Sequence, residues 1–285
     1  MTNTNGIRIV FVDTANNSKN HCCYDPVKDR FFEVNSLTEL KDFDEVYIDS
    51  SLFQSMWNEI QILLKNGKRV FYFRRPWKWK TLRETYASEL RIFNKNKSDQ
   101  GDAWILSRVP RTSEWFREIT MIDAEIRPLI SIEKAYYKLL QRLRSIYSLK
   151  EERDVKKYIE ETKERLHEIR RKVVEKAYQI IPKFDKIYER IGLNADDLNG
   201  LYGLATTLVY IGWPKMLKSY HKTIEYLGLY PGKKMHVQGN SRRLFVIFTN
   251  AVAEKRGWPW PPRLKYQQQL LKELICILQE MKGST

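Results

Sequence analysis

The sequence has 285 residues, of which 42% are hydrophobic and 30% charged, so a packed core is expected and a wholly disordered chain is excluded. Its 50 basic residues outnumber its 35 acidic residues, which gives a formal charge of +15 and an isoelectric point near 9.6. A surplus of this size favours a polyanionic partner, and nucleic acid is the first candidate, although a charged surface that binds nothing is the alternative.

Cysteine usage and hydropathy indicate the compartment. Cys22, Cys23 and Cys276 form neither a disulfide framework nor a Cys-x-x-Cys metal pair, which indicates a reducing environment. No apolar run approaches the roughly 20 residues of a membrane span, and the N-terminus lacks the basic and apolar pattern of a signal peptide. These features predict a cytoplasmic protein.

Strand and helix patterns alternate in the N-terminal third. "GIRIVFVD" predicts a buried strand that ends in Asp13, and "HCCYDPVKDRFFEV" predicts a hairpin. "DEVYID" predicts a second buried strand that ends in Asp49. A helix that closes at Gly67 and a third buried strand, "KRVFYF", follow. This order predicts an α/β sheet of mixed direction.

The pattern changes between residues 113 and 191, where no strand is expected. Glycine is absent between Gly101 and Gly192, charges alternate densely, and apolar residues recur at helical spacing. A narrow apolar seam buries little surface alone, so we expect a paired helical hairpin or coiled coil rather than a solvated helix. The seam is predicted to contain Ile132, Leu139, Leu143, Ile146, Val155, Ile159, Leu166 and Val173.

The C-terminal part is predicted to be mostly helical. "NGLYGLATTLVYIG" carries small residues that permit close helix packing, and "WPWPP" interrupts the chain before a last amphipathic helix over 263–282. Three regions are therefore predicted, namely an α/β domain over 1–112, a helical segment over 113–191 and a helical domain over 192–285.

Four aspartates form the strongest candidate site. Asp13 and Asp49 end strands, and strand ends are where ligands collect in such sheets. Asp99 and Asp102 are three residues apart, so they share one face of the helix that they open. Clustered carboxylates repel unless cations neutralise them, and Mg²⁺ prefers carboxylate ligands. The pattern thus suggests a site for Mg²⁺ or Mn²⁺, while strand-end and helix-capping roles remain the alternative.

Several segments resemble one family in the right order along nearly the whole chain. "VFVDTANN", "VYIDSSLFQSMWNEIQILLKNGKRVFYF" and "NKSDQGDAWILSRV" resemble the motifs of DEDD-type transposases of the insertion-sequence 110 family. "LNGLYGLATTLVYIGW", "YLGLYP" and "GNSRRLF" are similar to segments of its C-terminal transposase domain. The resemblance implies a RuvC-like (RNase H-like) domain over 1–112, a coiled coil and a transposase domain. It also implies catalytic, metal-binding roles for Asp13, Asp49, Asp99 and Asp102, although that family usually has glutamate where this chain has Asp49.

One departure from the family concerns its nucleophilic serine. That family normally has a Ser-Gly pair after its "GLxP" segment, and this chain lacks the pair. Ser241 is the only serine between Ser219 and Ser284, which makes it the remaining candidate nucleophile. A serine after Gly-Asn is also a common helix N-cap, and this reading stays open.

Basic residues in two segments are candidate nucleic-acid contacts. The segment "RRPWKWK" interleaves cations with Trp77 and Trp79, a pattern that suits backbone contact with base stacking, or a partly buried surface. A second basic loop precedes and enters "GNSRRLF", with His236 as a candidate base. The predicted contacts are Arg74, Arg75, Lys78, Lys80, Lys233, Lys234, Arg242 and Arg243.

These observations predict a DNA transposase or recombinase that cleaves and transfers strands with Mg²⁺ or Mn²⁺. The resemblance further implies that a structured guide RNA directs target choice, and the helical seam predicts a homodimer or homotetramer. The alternatives are a RuvC-like nuclease that acts on branched DNA, and a non-catalytic scaffold that binds nucleic acid.

Overall fold

The computed structural model describes residues 6–15, 20–49, 56–90, 98–150, 153–214, 217, 219–229 and 239–283. The chain divides into two compact units, Met1–Glu125 and Ile126–Thr285. Within the described residues, no helix combines the length and the apolar character that a membrane crossing requires.

A single mixed sheet forms the centre of the N-terminal unit. In the described part of the chain its strands are β1 (Ile9–Asp13), β2 (His21–Asp25), β3 (Arg30–Val34), β4 (Glu45–Ile48), β5 (Arg69–Phe73) and β6 (Phe116–Ile119). Their order across the sheet is β3-β2-β1-β4-β5-β6. Strands β1, β4 and β5 are parallel, whereas β2, β3 and β6 each pair with an antiparallel neighbour. The predicted mixed α/β sheet is confirmed, and its parallel strands bring their carboxyl ends to one edge.

Side-chain alternation gives this sheet two buried faces. Val12 lies on the face that packs against helix α1 (Met56–Lys65). Phe11 and Tyr47 lie on the opposite face and pack with residues of the helix Asp99–Arg108. Because neighbouring residues of a strand point to opposite faces, the position of each strand-end aspartate decides which helix it meets.

The strand β6 was not predicted, and it extends the sheet beyond the proposed boundary at residue 112. Its sequence, Phe-Arg-Glu-Ile, is short and half charged, so it lacks the apolar run that marks the other strands. Both charges are paired: Arg117 donates to Asp123 at 2.8 Å, and Glu118 accepts from Arg69 at 3.2 Å. The expectation that no strand follows residue 113 is therefore wrong.

The remaining regular elements of the described structure are helices, including two short 3-10 helices, Leu37–Asp42 and Pro76–Lys78. Numbered along the chain after α1, the α-helices are α2 (Trp79–Thr85), α3 (Ala87–Leu90), α4 (Asp99–Arg108), α5 (Met121–Lys150), α6 (Arg153–Ile180), α7 (Phe184–Ile191), α8 (Leu198–Ile211), α9 (Tyr220–Leu227), α10 (Gly239–Lys255) and α11 (Leu264–Gly283). The predicted helical segment and helical C-terminal part are confirmed at this level.

The predicted seam is correct for α6 and partly correct on α5, where Leu143 is partly buried and packs against the same cluster. Its α6 members, Val155, Ile159, Leu166 and Val173, are buried and pack in part against Leu140 of α5. On α5 the buried face contains Leu140 and the carboxylate of Glu133, which apolar periodicity does not detect. The α5 members Ile132, Leu139 and Ile146 are 37%, 44% and 46% exposed. These three side chains would be buried only by contact with another molecule, and contact between subunits stays a prediction.

Helices α8 and α10 approach each other closely at Gly203. A Cβ atom at this position would lie 2.6 Å from the backbone nitrogen of Phe248, closer than real Cβ contacts allow. The small residues predicted for this helix thus permit a backbone contact that a larger side chain would prevent.

Candidate active site

Asp13 and Asp49 lie side by side at the carboxyl ends of two parallel strands. The register pairs Val12 with Ile48 in the ladder between β1 and β4. The two aspartates follow directly, which places their backbones about 4.8 Å apart. Because side chains alternate, both positions belong to the face that carries Phe11 and is covered by α4. Asp49 is buried and Asp13 is partly buried.

Helix α4 brings the second pair of aspartates to this face. Its N-cap is Ser98, whose Oγ accepts a hydrogen bond from the Gly101 N–H at 3.0 Å. Asp99 and Asp102 therefore lie in the first turn, where the helix dipole favours them, without serving as the cap. Asp99 is exposed, whereas Asp102 is only 6% exposed. A carboxylate buried to this extent needs a charged or hydrogen-bonding partner.

The partner of Asp102 is Arg83 on α2. Arg83 donates from Nε at 2.9 Å and from Nη2 at 2.5 Å to the two carboxylate oxygens. The hydrogen bond to Asp102 raises the pKa of Arg83, burial opposes this shift, and the negative charge of Asp13 adds to it. The guanidinium also lies 5.3 Å from the ring centroid of Trp79. One cation therefore lies within electrostatic range of two of the four candidate aspartates.

Asp49 is held by the residue that follows β1. Thr14 donates to its Oδ1 from the hydroxyl group and, at 3.4 Å, from the backbone N–H. The Asp49 N–H in turn donates to the carbonyl of Val12 at 3.1 Å. These contacts fix the carboxylate at the end of the sheet.

Cys22 lies opposite Asp13 on β2 and is buried. Burial raises the pKa of its thiol to about 12, and the negative charges of Asp13 and Asp99 contribute to the increase. The thiol is therefore protonated at neutral pH, so it does not act as a thiolate ligand. The charges of a strand-end aspartate and of a helix aspartate therefore both reach Cys22.

The carboxylates converge on one region without forming a set of metal ligands. Across the described part of the chain, no three histidine, cysteine, aspartate or glutamate side chains are arranged to hold a metal ion. Both oxygens of Asp102 are engaged by Arg83. The predicted metal role of the four aspartates stays a prediction.

The basic-aromatic segment divides into bound and open residues. Arg74 donates to the Ser113 carbonyl at 2.5 Å, and Arg75 pairs with Glu114 at the same distance. Their guanidinium groups are thus partly engaged within the unit. Lys80 has an 89% exposed side chain whose Nζ lies 3.9 Å from Glu84 Oε1, and Trp77 is 69% exposed, so these two present the exposed surface of the segment. Lys78 is intermediate in exposure.

The predicted C-terminal site is only partly described. Lys233, Lys234 and His236 lie outside the described residues. Ser241 lies in the first turn of α10 and is 2% exposed, so its hydroxyl group is not presented to a substrate in this conformation. Arg242 is half-buried, its Nη1 has no hydrogen-bond partner within the described structure, and burial lowers its pKa.

Arg243 points instead into a buried ion-pair cluster. Glu133 on α5 is fully buried and accepts hydrogen bonds from Arg243 of α10 and, at 2.9 Å, from Arg170 of α6. Burial opposes ionisation, yet the hydrogen bonds and charges of both arginines outweigh it and lower the pKa of Glu133. Arg170 also donates to Asn199 of α8 at 2.9 Å. We therefore do not retain Arg243 as a phosphate contact, because its guanidinium neutralises Glu133.

Two residues at the N-terminal site were missed from the sequence. Arg83 lies in an amphipathic helix rich in cations, and nothing in its spacing marks it as the partner of Asp102. Cys22 lies in a hairpin strand, and its proximity to Asp13 follows only from the strand register. The signal that would have found it is the antiparallel pairing of β1 with β2.

Comparison with known proteins assigns no family to the chain. No protein-family model matches it. A search of curated proteins also finds no match.

Proposed function

We propose that the chain is a transposase- or recombinase-like enzyme that cleaves and transfers DNA strands. Its site would lie where the carboxyl ends of β1 and β4 meet the first turn of α4. The supporting geometry is the shared face of Asp13 and Asp49, the position of α4 over that face, and the buried carboxylate of Asp102. The order of the motifs that resemble the insertion-sequence 110 family supports the same reaction class and an RNase H-like fold.

The convergence of Asp13, Asp49 and Asp102 on the side of the sheet that α4 covers is the observation that carries this proposal. Carboxylates that converge repel one another unless positive charge is supplied. Arg83 supplies one such charge to Asp102 and acts also on Asp13. A divalent ion requires the same carboxylate oxygens, so Arg83 and the ion would compete. We infer that metal binding at Asp102 requires Arg83 to release its carboxylate.

Four aspartates would hold Mg²⁺ or Mn²⁺ after Arg83 leaves, namely Asp13, Asp49, Asp99 and Asp102. When bound, such an ion stabilises negative charge on phosphoryl oxygens. The protein itself contributes the fixed position of Asp49 through Thr14 and the rigid first turn of α4 through the Ser98 cap.

DNA is the proposed substrate. The formal charge of +15 supports a polyanion, and the exposed Lys80 and Trp77 offer a charge and a stacking surface in the same unit. A guide RNA and a homodimer or homotetramer are expectations from the resemblance and from the helical seam.

A strand-cleavage assay tests the proposal. The full chain is incubated with labelled linear and branched DNA in Mg²⁺, with and without RNA that copurifies with it. Asp13→Asn is expected to abolish products, whereas Asp42→Asn, an exposed acid outside the site, is expected to retain them. Equal activity of Asp13→Asn and the native protein contradicts the proposal. Hydrolysis of branched DNA without strand transfer would assign the chain to the RuvC-like nucleases instead.

A non-catalytic nucleic-acid-binding scaffold is the second candidate. It is favoured by the Arg83–Asp102 pair read as a permanent structural contact, together with the lack of an assembled ligand set among the described residues. In that case DNA binding would persist in EDTA, and neither the native protein nor Arg83→Gln would cleave DNA.

A further inference from the structure

The geometry points to a binding subsite for one base of single-stranded nucleic acid at the C-terminal end of α10 and the segment that follows it. A surface pocket of about 390 Å³ opens there, and it is lined by Ala253, Glu254, Gly257, Trp258 and Trp260. Its volume falls within the roughly 300–1,000 Å³ of small-ligand pockets. The inference rests on the proposed nucleic-acid function and adds a site that the four aspartates and the basic segments do not include.

Trp260 supplies the stacking surface. It is 68% exposed and lines the pocket. Pro259, Pro261 and Pro262 flank it, and proline restricts the backbone, so the indole is presented by a chain segment with little freedom to move. A backbone that is already restricted loses little further entropy when a base stacks on the ring that it carries.

Trp258 forms the fixed wall of the pocket. Its backbone N–H donates to the carbonyl of Ala253 at 2.9 Å, and its ring stacks on Tyr266 with centroids 5.0 Å apart. Arg256 lies 5.3 Å from the Trp258 ring centroid and donates two hydrogen bonds of 2.7 Å to Glu273. These contacts hold Trp258 in place, so the pocket exists before any ligand arrives.

The surrounding charges favour a nucleotide over a cationic ligand. Lys265 lies 4.8 Å from the ring centroid of Tyr266, and Lys255 and Arg263 are exposed close by in the chain. These cations attract phosphate and repel a cationic ligand such as a methylated lysine. Glu254 is the one charged residue that lines the pocket, and its carboxylate can accept a hydrogen bond from the amino group of a base.

Aromatic side chains bind single strands because every base offers a π-face, whereas the bases of a duplex are already stacked. The subsite should therefore distinguish single strands from duplexes. It should contribute affinity that depends little on salt, because stacking releases no counterions, while lysine contacts contribute the salt-dependent part.

The test measures binding of the full chain to a 12-nucleotide DNA that contains 2-aminopurine, and to the same sequence as a duplex. Variants are Trp260→Ala, Trp260→Phe and Tyr158→Ala, a control at a 55% exposed ring on α6. We expect Trp260→Ala to weaken single-strand binding by on the order of 10- to 100-fold and to abolish the change in 2-aminopurine emission. Trp260→Phe should restore most of the binding, and Tyr158→Ala and duplex binding should be unchanged.

The dependence of the binding constant on salt concentration distinguishes the contribution of stacking from that of charged contacts. Trp260→Ala should leave the slope unchanged, whereas Lys265→Gln should reduce it by about one contact. If the native protein binds the single strand and Trp260→Ala binds equally well, the subsite is refuted and the proposed function stands. If the native protein binds neither single strand nor duplex, both are refuted. Binding of a trimethyllysine peptide through Trp260, with no effect of Trp260→Ala on DNA, also overturns the subsite.

Discussion

Arg83 and Asp102 form a doubly hydrogen-bonded ion pair, with side chains that are 26% and 8% exposed. The pair joins α2, whose first two residues end the basic-aromatic segment, to the first turn of α4. Asp13 lies within electrostatic range of the same guanidinium. The relationship links the surface that we expect to meet DNA with the carboxylates that we expect to hold metal.

Removing the Arg83 charge should increase metal affinity. A hydrogen bond to a charged group contributes about 1.5–3 kcal/mol, and Arg83→Gln removes that competitor for Asp102. We expect Mn²⁺ to bind at least about tenfold more tightly, as measured by electron paramagnetic resonance of free Mn²⁺. Arg75→Gln, which loses a pair with Glu114 outside the site, is the matched control. Unchanged affinity in Arg83→Gln, with measurable native binding, would show that Arg83 does not compete.

The buried Glu133 should stabilise the helical unit strongly. Glu133→Ala leaves Arg170 and Arg243 buried without their carboxylate, which should lower the free energy of unfolding by about 3–5 kcal/mol in urea titrations. Glu168→Ala removes an exposed ion pair on α6 and should change the free energy of unfolding little. If Glu133→Ala and Glu168→Ala lowered the free energy of unfolding equally, burial would not determine how much an ion pair stabilises this unit.

The same residue predicts a pH dependence. The folded-state pKa of Glu133 lies below its ordinary value of 4.5. Its stabilisation is therefore fully present above about pH 4.5 and is lost as the pH falls through the folded-state pKa. Glu133→Gln should flatten this acidic limb of the stability profile, measured by urea unfolding at a series of pH values. An unchanged limb would assign the acid sensitivity to other carboxylates.

The exposed apolar side chains of α5 predict self-association. Ile132, Leu139 and Ile146 recur every seven residues, which suits pairing of helices along one stripe. Leu139→Lys should convert an oligomer to a monomer in light scattering at moderate salt, with unchanged helix content. The control substitution is Tyr158→Lys, at an exposed residue of α6. A native protein that is monomeric at high concentration would contradict the predicted assembly.

Patterns of apolar residues were sufficient for much of the fold. The runs that end in Asp13 and Asp49 predicted buried strands, and Asp99 and Asp102 were predicted to open a helix. Both predictions depend on local periodicity and capping, which a sequence displays directly. Strand β6 was not predicted because half of its residues are charged. Glu118 pairs with Arg69, which is distant in the chain, and Arg117 pairs with Asp123, six residues away.

Only part of the candidate site could be predicted from the sequence. The four aspartates could be listed, but the partner of Asp102 depends on how α2 packs near α4. Arg243 was predicted to face phosphate because it lies in a basic run, yet its guanidinium pairs with Glu133, 110 residues away along the chain. Long-range ion pairs of this kind have no local sequence signature, so they appear only in the folded structure.

The most direct test of the metal site is a crystal of the full chain soaked in Mn²⁺ and measured at the manganese absorption edge. The proposal predicts an anomalous peak between Asp13, Asp49 and Asp102, with Arg83 displaced from the Asp102 carboxylate. It also predicts that Asp13→Asn crystals soaked in the same way lack the peak. Manganese absent from this region in native and Arg83→Gln crystals alike, with the Arg83–Asp102 pair intact in the native protein, would contradict the proposal.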